Sequence, residues 1–226
     1  MRLMKFAASV AALAVMAITS GAHAQDVELV VNGDFEGTIG AVADGTPGQI
    51  NPFEGGGLAT VDATNPFDST NHATLTFTGA DAGFAGFQYQ IDGITVGEEY
   101  TFSLYAATDG PNLGGVDGEF RLEYLDADGA FVIDQFANNL SLNAATDTFA
   151  LFTQSSTAPV GATSLRAVVA TQTFGTGADG TDSNVGTLFV DNLSVTGPAI
   201  TAAIPEPGSV ALLGLAACGL VARRRR

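Results

Sequence analysis

Between residues 25 and 204 this chain has no tryptophan, no lysine and no cysteine, and its only histidine there is His72. Without cysteine the segment forms no disulfide and offers no thiol nucleophile. With one imidazole, Ser-His and Cys-His catalysis have almost no material. Positive charge is scarce as well: Arg121 and Arg166 are the segment's cations, because Arg2, Lys5 and Arg223 to Arg226 lie in the two end segments. Against them stand 23 of the 24 Asp and Glu, Glu206 alone falling in the tail, for a formal charge of about −21. Nucleic acid is thereby excluded as a partner. Such acidity suits a self-repelling exported protein that meets salt or divalent cations. Also missing are a Gly-x-Ser-x-Gly elbow, a phosphate loop and zinc-ligand spacing.

The ends are processing signals. Arg2 and Lys5, the apolar run Phe6 to Ile18 and Ala22-His23-Ala24 form the three parts of a signal peptide over residues 1–24. At the other end Pro205-Glu206-Pro207, an apolar run from Ser209 to Ala222 and four arginines follow without a gap. Those fourteen apolar residues reach about 21 Å as a helix, short of the ~30 Å hydrocarbon core, and the arginines keep the terminus cytoplasmic. This order resembles the PEP-CTERM sorting signal of Gram-negative bacteria. The resemblance implies that the membrane holds the chain transiently, that an exosortase cleaves near the motif, and that the product reaches the cell surface or an exopolysaccharide matrix. The expected organisation is a signal peptide (1–24), one domain (25–197), a linker (198–204) and the sorting tail (205–226).

The domain reads as all-β. Short runs of Val, Leu, Phe, Tyr and Thr alternate with Gly, Asp and Asn clusters, and no stretch sustains helical periodicity. Ala73, Leu75 and Phe77 oppose His72, Thr74 and Thr76; Tyr100, Phe102 and Leu104 oppose Thr101, Ser103 and Tyr105; Phe120, Leu122 and Tyr124 oppose Arg121 and Glu123. Further strands are expected over Val27 to Phe35, Phe84 to Ile91, Ala130 to Phe136, Thr148 to Gln154, Ser164 to Phe174 and Thr187 to Val195. Asp126 to Gly129 is expected to be a hairpin turn. Gly37 to Gly57, Asp109 to Gly118 and Gly175 to Asn184 are expected to be loops. About nine or ten such strands predict a two-sheet antiparallel sandwich. His72 is expected on its strand's solvated side.

Four landmarks then occur in order: Asn32-Gly33-Asp34-Phe35-Glu36, Tyr100 to Ala106, Ala158 to Arg166, and Phe189-Val190-Asp191-Asn192-Leu193-Ser194-Val195. Together they resemble carbohydrate-binding modules of the galactose-binding-like jelly-roll fold, although such modules often stack sugars on Trp. Alternation puts Phe189, Asp191, Leu193 and Val195 on one face, so the Asp191 carboxylate sits in an apolar row and needs a partner. The resemblance implies a structural calcium held by Asp191 and Glu36, with Asp34 beside them; a salt bridge to Arg166, or an exposed strand-end acid, is the alternative. For a glycan, Tyr105 with Thr101 and Ser103, together with Gln88, Gln90 and Arg121, supply an aromatic surface and bidentate polar groups.

An enzyme is argued against. Glu119 and Glu123 share a strand face, but four residues at ~3.3 Å separate their backbones by about 13 Å, beyond the roughly 5 to 9.5 Å between catalytic carboxyls. The resulting reading is a non-catalytic structural or adhesive component of the surface or exopolysaccharide matrix. The alternative is a module that binds an extracellular glycan, and a glycoside hydrolase ranks third.

Overall fold

A computed structural model describes residues 25–41, 46–64, 67–78, 83–134, 140–173, 177–181 and 185–200. Both end segments, with Pro205, Glu206 and Pro207, lie outside the described residues. Eleven strands form among those described: β1 (Asp26–Glu28), β2 (Ile50–Gly55), β3 (Leu58–Asp62), β4 (His72–Thr78), β5 (Phe84–Asp92), β6 (Glu99–Thr108), β7 (Asp117–Leu125), β8 (Phe131–Asp134), β9 (Ala150–Thr157), β10 (Ser164–Gln172) and β11 (Val185–Pro198). They make two antiparallel sheets, as expected. The first has the order β3-β4-β11-β6-β9, with β1 paired to the end of β11; the second has the order β2-β5-β10-β7-β8.

The core lies where the inner faces meet. Leu75, Phe77, Phe102, Leu104, Leu188 and Val190 of the first sheet pack against Phe87, Tyr89, Phe120, Leu122, Leu165 and Val169 of the second. Each buried side chain of this size contributes about 1.5 to 3 kcal/mol. Phe102 and Phe120 meet edge-on across the interface, their centroids 5.3 Å apart. This packing takes the place of the absent disulfide.

Four local expectations are corrected. The Val27 to Phe35 run forms a strand only over Asp26–Glu28, because Asn32 and Phe35 adopt φ of 65° and 58° and turn the chain inward. Gly33 sits against β11 so closely that a Cβ would lie 1.8 Å from the Leu193 carbonyl oxygen. The Gly37 to Gly57 stretch holds β2, an edge strand whose Pro52 lacks an N–H that a central strand would need. In β11 the register shifts between Asp191 and Ser194, with Asn192 at φ 50°. This bulge breaks the alternation: Leu193 and Val195 join the core, whereas Asp191 pairs with Tyr105, which lies on the outward side of the first sheet. Finally, His72 is fully buried, with Phe189 edge-on to its ring at 5.2 Å and Asp62 and Thr74 at its Nε2. The Asp126 to Gly129 turn forms as expected, with Asp126 Oδ1 accepting from the backbone N–H of Asp128 and Ala130.

Candidate functional site

The outward face of the second sheet carries a polar groove. Cross-strand register aligns Asn51, Gln88, Val168 and Arg121 in one row, Gln90, Arg166 and Glu123 in the next, and Gly86, Ala170 and Glu119 in a third. Small Val168 and Ala170 lie between these side chains, and the Phe53 ring covers Gly86. Arg121 pairs with Glu119, donates Nε to Glu123 Oε1 at 2.8 Å, and places Nη2 at 2.8 Å from the same oxygen; Arg166 Nε donates to Glu123 Oε2. Both acids and Arg121 are buried, Glu123 to 1% exposure, while Gln88, Gln90 and Arg166 are half-buried. The four charges cancel, which lets them stay desolvated side by side. Phe131, 51% exposed, lies 5.5 Å from the Arg166 guanidinium, and Phe53 and Phe84 pair at 5.9 Å elsewhere on this face. The face therefore offers fixed bidentate polar groups and exposed ring surface.

The structure brings Gln88, Gln90 and Arg121 together but puts Tyr105 elsewhere. Strands β5 and β6 are consecutive yet belong to opposite sheets, so Tyr105 emerges on the far side of the sandwich. There Phe67 stacks on it at 4.0 Å with an 18° interplanar angle.

Asp191 and Glu36 grip one segment from two sides. Asp191 Oδ2 accepts from Phe67 N and Ser69 Oγ, both at 3.1 Å, and Oδ1 accepts from Asn192 N at 2.7 Å. Glu36 Oε1 accepts from the N–H groups of Thr70 and Asn71, and Oε2 from Asn71 Nδ2 at 3.2 Å. Asp34 caps the turn by accepting from Glu36 N at 3.3 Å. Arg166 pairs with Glu123 on the other sheet, so the alternative of a salt bridge to Asp191 does not form. Burial raises the Asp191 pKa, against the hydrogen bonds from Phe67, Asn192 and Ser69, and Asp68 adds to the rise.

Residues 27–173 match the family model described as a carbohydrate binding domain. The chain belongs to that family. Residues 203–226 match the PEP-CTERM protein-sorting motif. Among solved structures, the chain is similar to the bacteriophage CBA120 tailspike protein 4 enzymatically active domain, at 16% identity over 75% of this chain but 21% of that one, with a TM-score of 0.49. It is also similar to the CBM22-1 xylan-binding domain of Paenibacillus barcinonensis Xyn10C, at 17% over 67% and 87% with TM-score 0.44. A CBM4 structure shows 19% identity over 74% and 99% with TM-score 0.47. No protein of curated function matches the chain.

Within the carbohydrate-binding domain, sequence reading missed Arg166, Phe53, Phe84 and Phe131 as parts of one face. The period of two in β10, with Arg166, Val168 and Ala170 opposite Leu165, Ala167 and Val169, was the signal available. Among the described residues no helix is long and apolar enough to cross a membrane, and no three His, Cys, Asp or Glu side chains gather as a metal ligand set. The donors at Asp191 and Glu36 are all oxygen, which suits a hard cation, but each carboxylate already accepts three hydrogen bonds and two acids fall short of a ligand set. A separate cavity of about 340 Å³, lined by Thr76, Phe77, Asp109, Leu113 and Thr187 among others, opens where the Asp109 to Gly114 loop meets the start of β11.

His72 gives the domain a pH dependence. Its Nε2 lies 3.3 Å from Asp62 Oδ1 and 3.0 Å from Thr74 Oγ1, while Nδ1 meets no partner. Burial lowers its pKa from the ordinary 6.5, against the attraction of Asp62 and Asp191. The unfolded chain therefore binds a proton that the folded one refuses. Stability from this group is full above pH 6.5 and is lost as pH falls from there through the lowered value. Urea titrations between pH 8 and 5 should show that loss, and His72→Asn should flatten it. An equal slope in the variant would assign it to other groups.

Proposed function

We propose that this protein is a non-catalytic glycan-binding protein of the cell surface or exopolysaccharide matrix, and that the groove on the second sheet is its binding site. The observation that carries the proposal is the groove itself: a neutralised Glu119-Arg121-Glu123-Arg166 network, two half-buried glutamines and exposed ring surface on one face of a carbohydrate-binding domain. Vicinal hydroxyls match paired oxygen and nitrogen groups, and sugar C–H faces match Phe rings. Family membership moves the glycan-binding reading ahead of a purely structural one. A hydrolase finds no support in the groove, where both carboxylates nearest a sugar are tied to arginine. The sorting motif supports delivery outward with exosortase processing, and the charge of about −21 over residues 25–204 favours a neutral glycan over an acidic one.

Isothermal titration of the purified protein against neutral oligosaccharides tests the site. Gln88→Ala combined with Gln90→Ala should weaken binding about tenfold, the loss of one or two net hydrogen bonds, with the melting temperature held. Unchanged affinity would remove the groove from consideration.

A structural calcium at Asp191, Glu36 and Asp34 is a separate proposal, motivated by the carboxylates of Asp191 and Glu36 that both hold residues 67–71; further oxygens of that segment would have to complete its ligand set. Calcium should raise the melting temperature and Asp191→Ala should abolish the rise; a ligand at a hundredfold excess over Kd stabilises by about 2.7 kcal/mol. Identical melting in chelator and in millimolar calcium would leave the hydrogen bonds as the sole fastening.

A further inference from the structure

The outward face of the first sheet is built differently from the groove, and it is where Tyr105, Thr101 and Ser103, expected from the sequence to meet a glycan, come to lie. Its strands align Asp191, Tyr105 and Leu151 in one row, Ser194, Ser103 and Thr153 in the next, and Thr196, Thr101 and Ser155 in the third. Phe67 lies over Tyr105, and Phe149 tilts against Phe67 with centroids 5.5 Å apart. Phe67 is 38% exposed and Leu151 56%. The result is an aromatic step beside two rows of hydroxyls, spaced about 4.8 Å between strands and ~6.6 Å along them. Both arginines of residues 25–204 lie on the other sheet. An anionic polymer thus finds no counter-charge here and meets the domain's own acidity.

Phe67 is held there deliberately. Its backbone N–H donates to the buried Asp191 carboxylate, and the far end of the same segment is tied to Glu36. The bonds fix a ring at the surface, where an unanchored apolar side chain would gain more by folding inward.

We propose that Phe67, Tyr105 and Phe149, bordered by Thr101, Ser103, Thr153 and Ser155, form a second stacking surface for a neutral polysaccharide chain. Ring faces receive the sugar C–H faces, and the hydroxyl rows receive the sugar hydroxyls. Because this surface and the groove lie on opposite sides of the sandwich, one domain bridges two polysaccharide chains. The proposal rests on the glycan-binding reading and assigns Asp191 as a positioning residue for Phe67.

The test uses the purified protein with cellulose, xylan and β-1,3-glucan, each as insoluble polymer for pull-down and as a soluble form for turbidity. Phe67→Ala and Tyr105→Ala should each weaken retention on the bound polymer about tenfold and abolish cross-linking turbidity, while titration with short oligosaccharides stays as in the native protein. Phe67→Trp, which enlarges the ring, should tighten retention; it decides the matter if Tyr105→Ala fails to fold. Native retention and turbidity in all the Phe67 variants overturn the second surface and leave the groove standing. Loss in the Phe67 variants with no effect of the Gln88 and Gln90 substitutions supports the second surface and overturns the groove. No retention of the native protein on any of the three polymers overturns both.

Discussion

Arg121→Ala should destabilise the protein by about 3 to 5 kcal/mol, the usual cost of stripping one partner from a buried ionic cluster. Glu119 and Glu123 are only 4% and 1% exposed, and the guanidinium lies between them. Arg166 remains beside Glu123, which its Nε contacts. Removing the cause should restore the fold: Glu119→Gln, Arg121→Met and Glu123→Gln together should recover most of the loss, since buried ion networks are often replaceable by neutral groups. Urea unfolding at neutral pH measures both. A single variant within about 1 kcal/mol of the native protein would show that water reaches these carboxylates.

The second large effect belongs to Phe35, which is 1% exposed and meets Phe87 edge-on at 5.6 Å. Phe35→Ala should cost about 3 to 5 kcal/mol by leaving a cavity under the turn. The backbone at φ 58° suits alanine no better than phenylalanine, so nothing is recovered locally. Because Phe35 also closes the turn that brings Glu36 to residues 70 and 71, the variant should expose the 67–71 segment to hydrogen exchange before global unfolding. Protection of Thr70 and Asn71 equal to the native protein's would separate the core role from the loop role.

The strands were legible wherever one face is buried and the other wet. In β6, Tyr100, Phe102 and Leu104 point inward while Thr101, Ser103 and Tyr105 point out, and period-two patterning states this directly. Gln88, Gln90 and Arg121 were legible as outward side chains for the same reason. Which sheet a strand joins is not a local property, so Tyr105 was grouped with residues on the opposite side. The bulge at Asn192 left one trace, an Asn able to adopt positive φ, too weak to predict that Phe189 and Asp191 would face away from Leu193 and Val195. The surroundings of His72 include Asp62 and Phe189 from neighbouring strands, and a lone imidazole among threonines gives no sign of them. The aromatics of the groove rim were hidden because Phe53, Phe84 and Phe131 read equally well as core until their strands take their places.

Strand β11 runs fourteen residues, Val185–Pro198, between β4 and β6, and its last residues also hold β1. The segment leading to the tail leaves from this central strand rather than from a sheet edge. A pull on Pro198 along the strand axis would load the ladders with β1 and β6 in shear, with β4 holding residues 185–190 at the far end, rather than peel hydrogen bonds off one at a time. Strand β11 is thus placed to resist tension along its own axis.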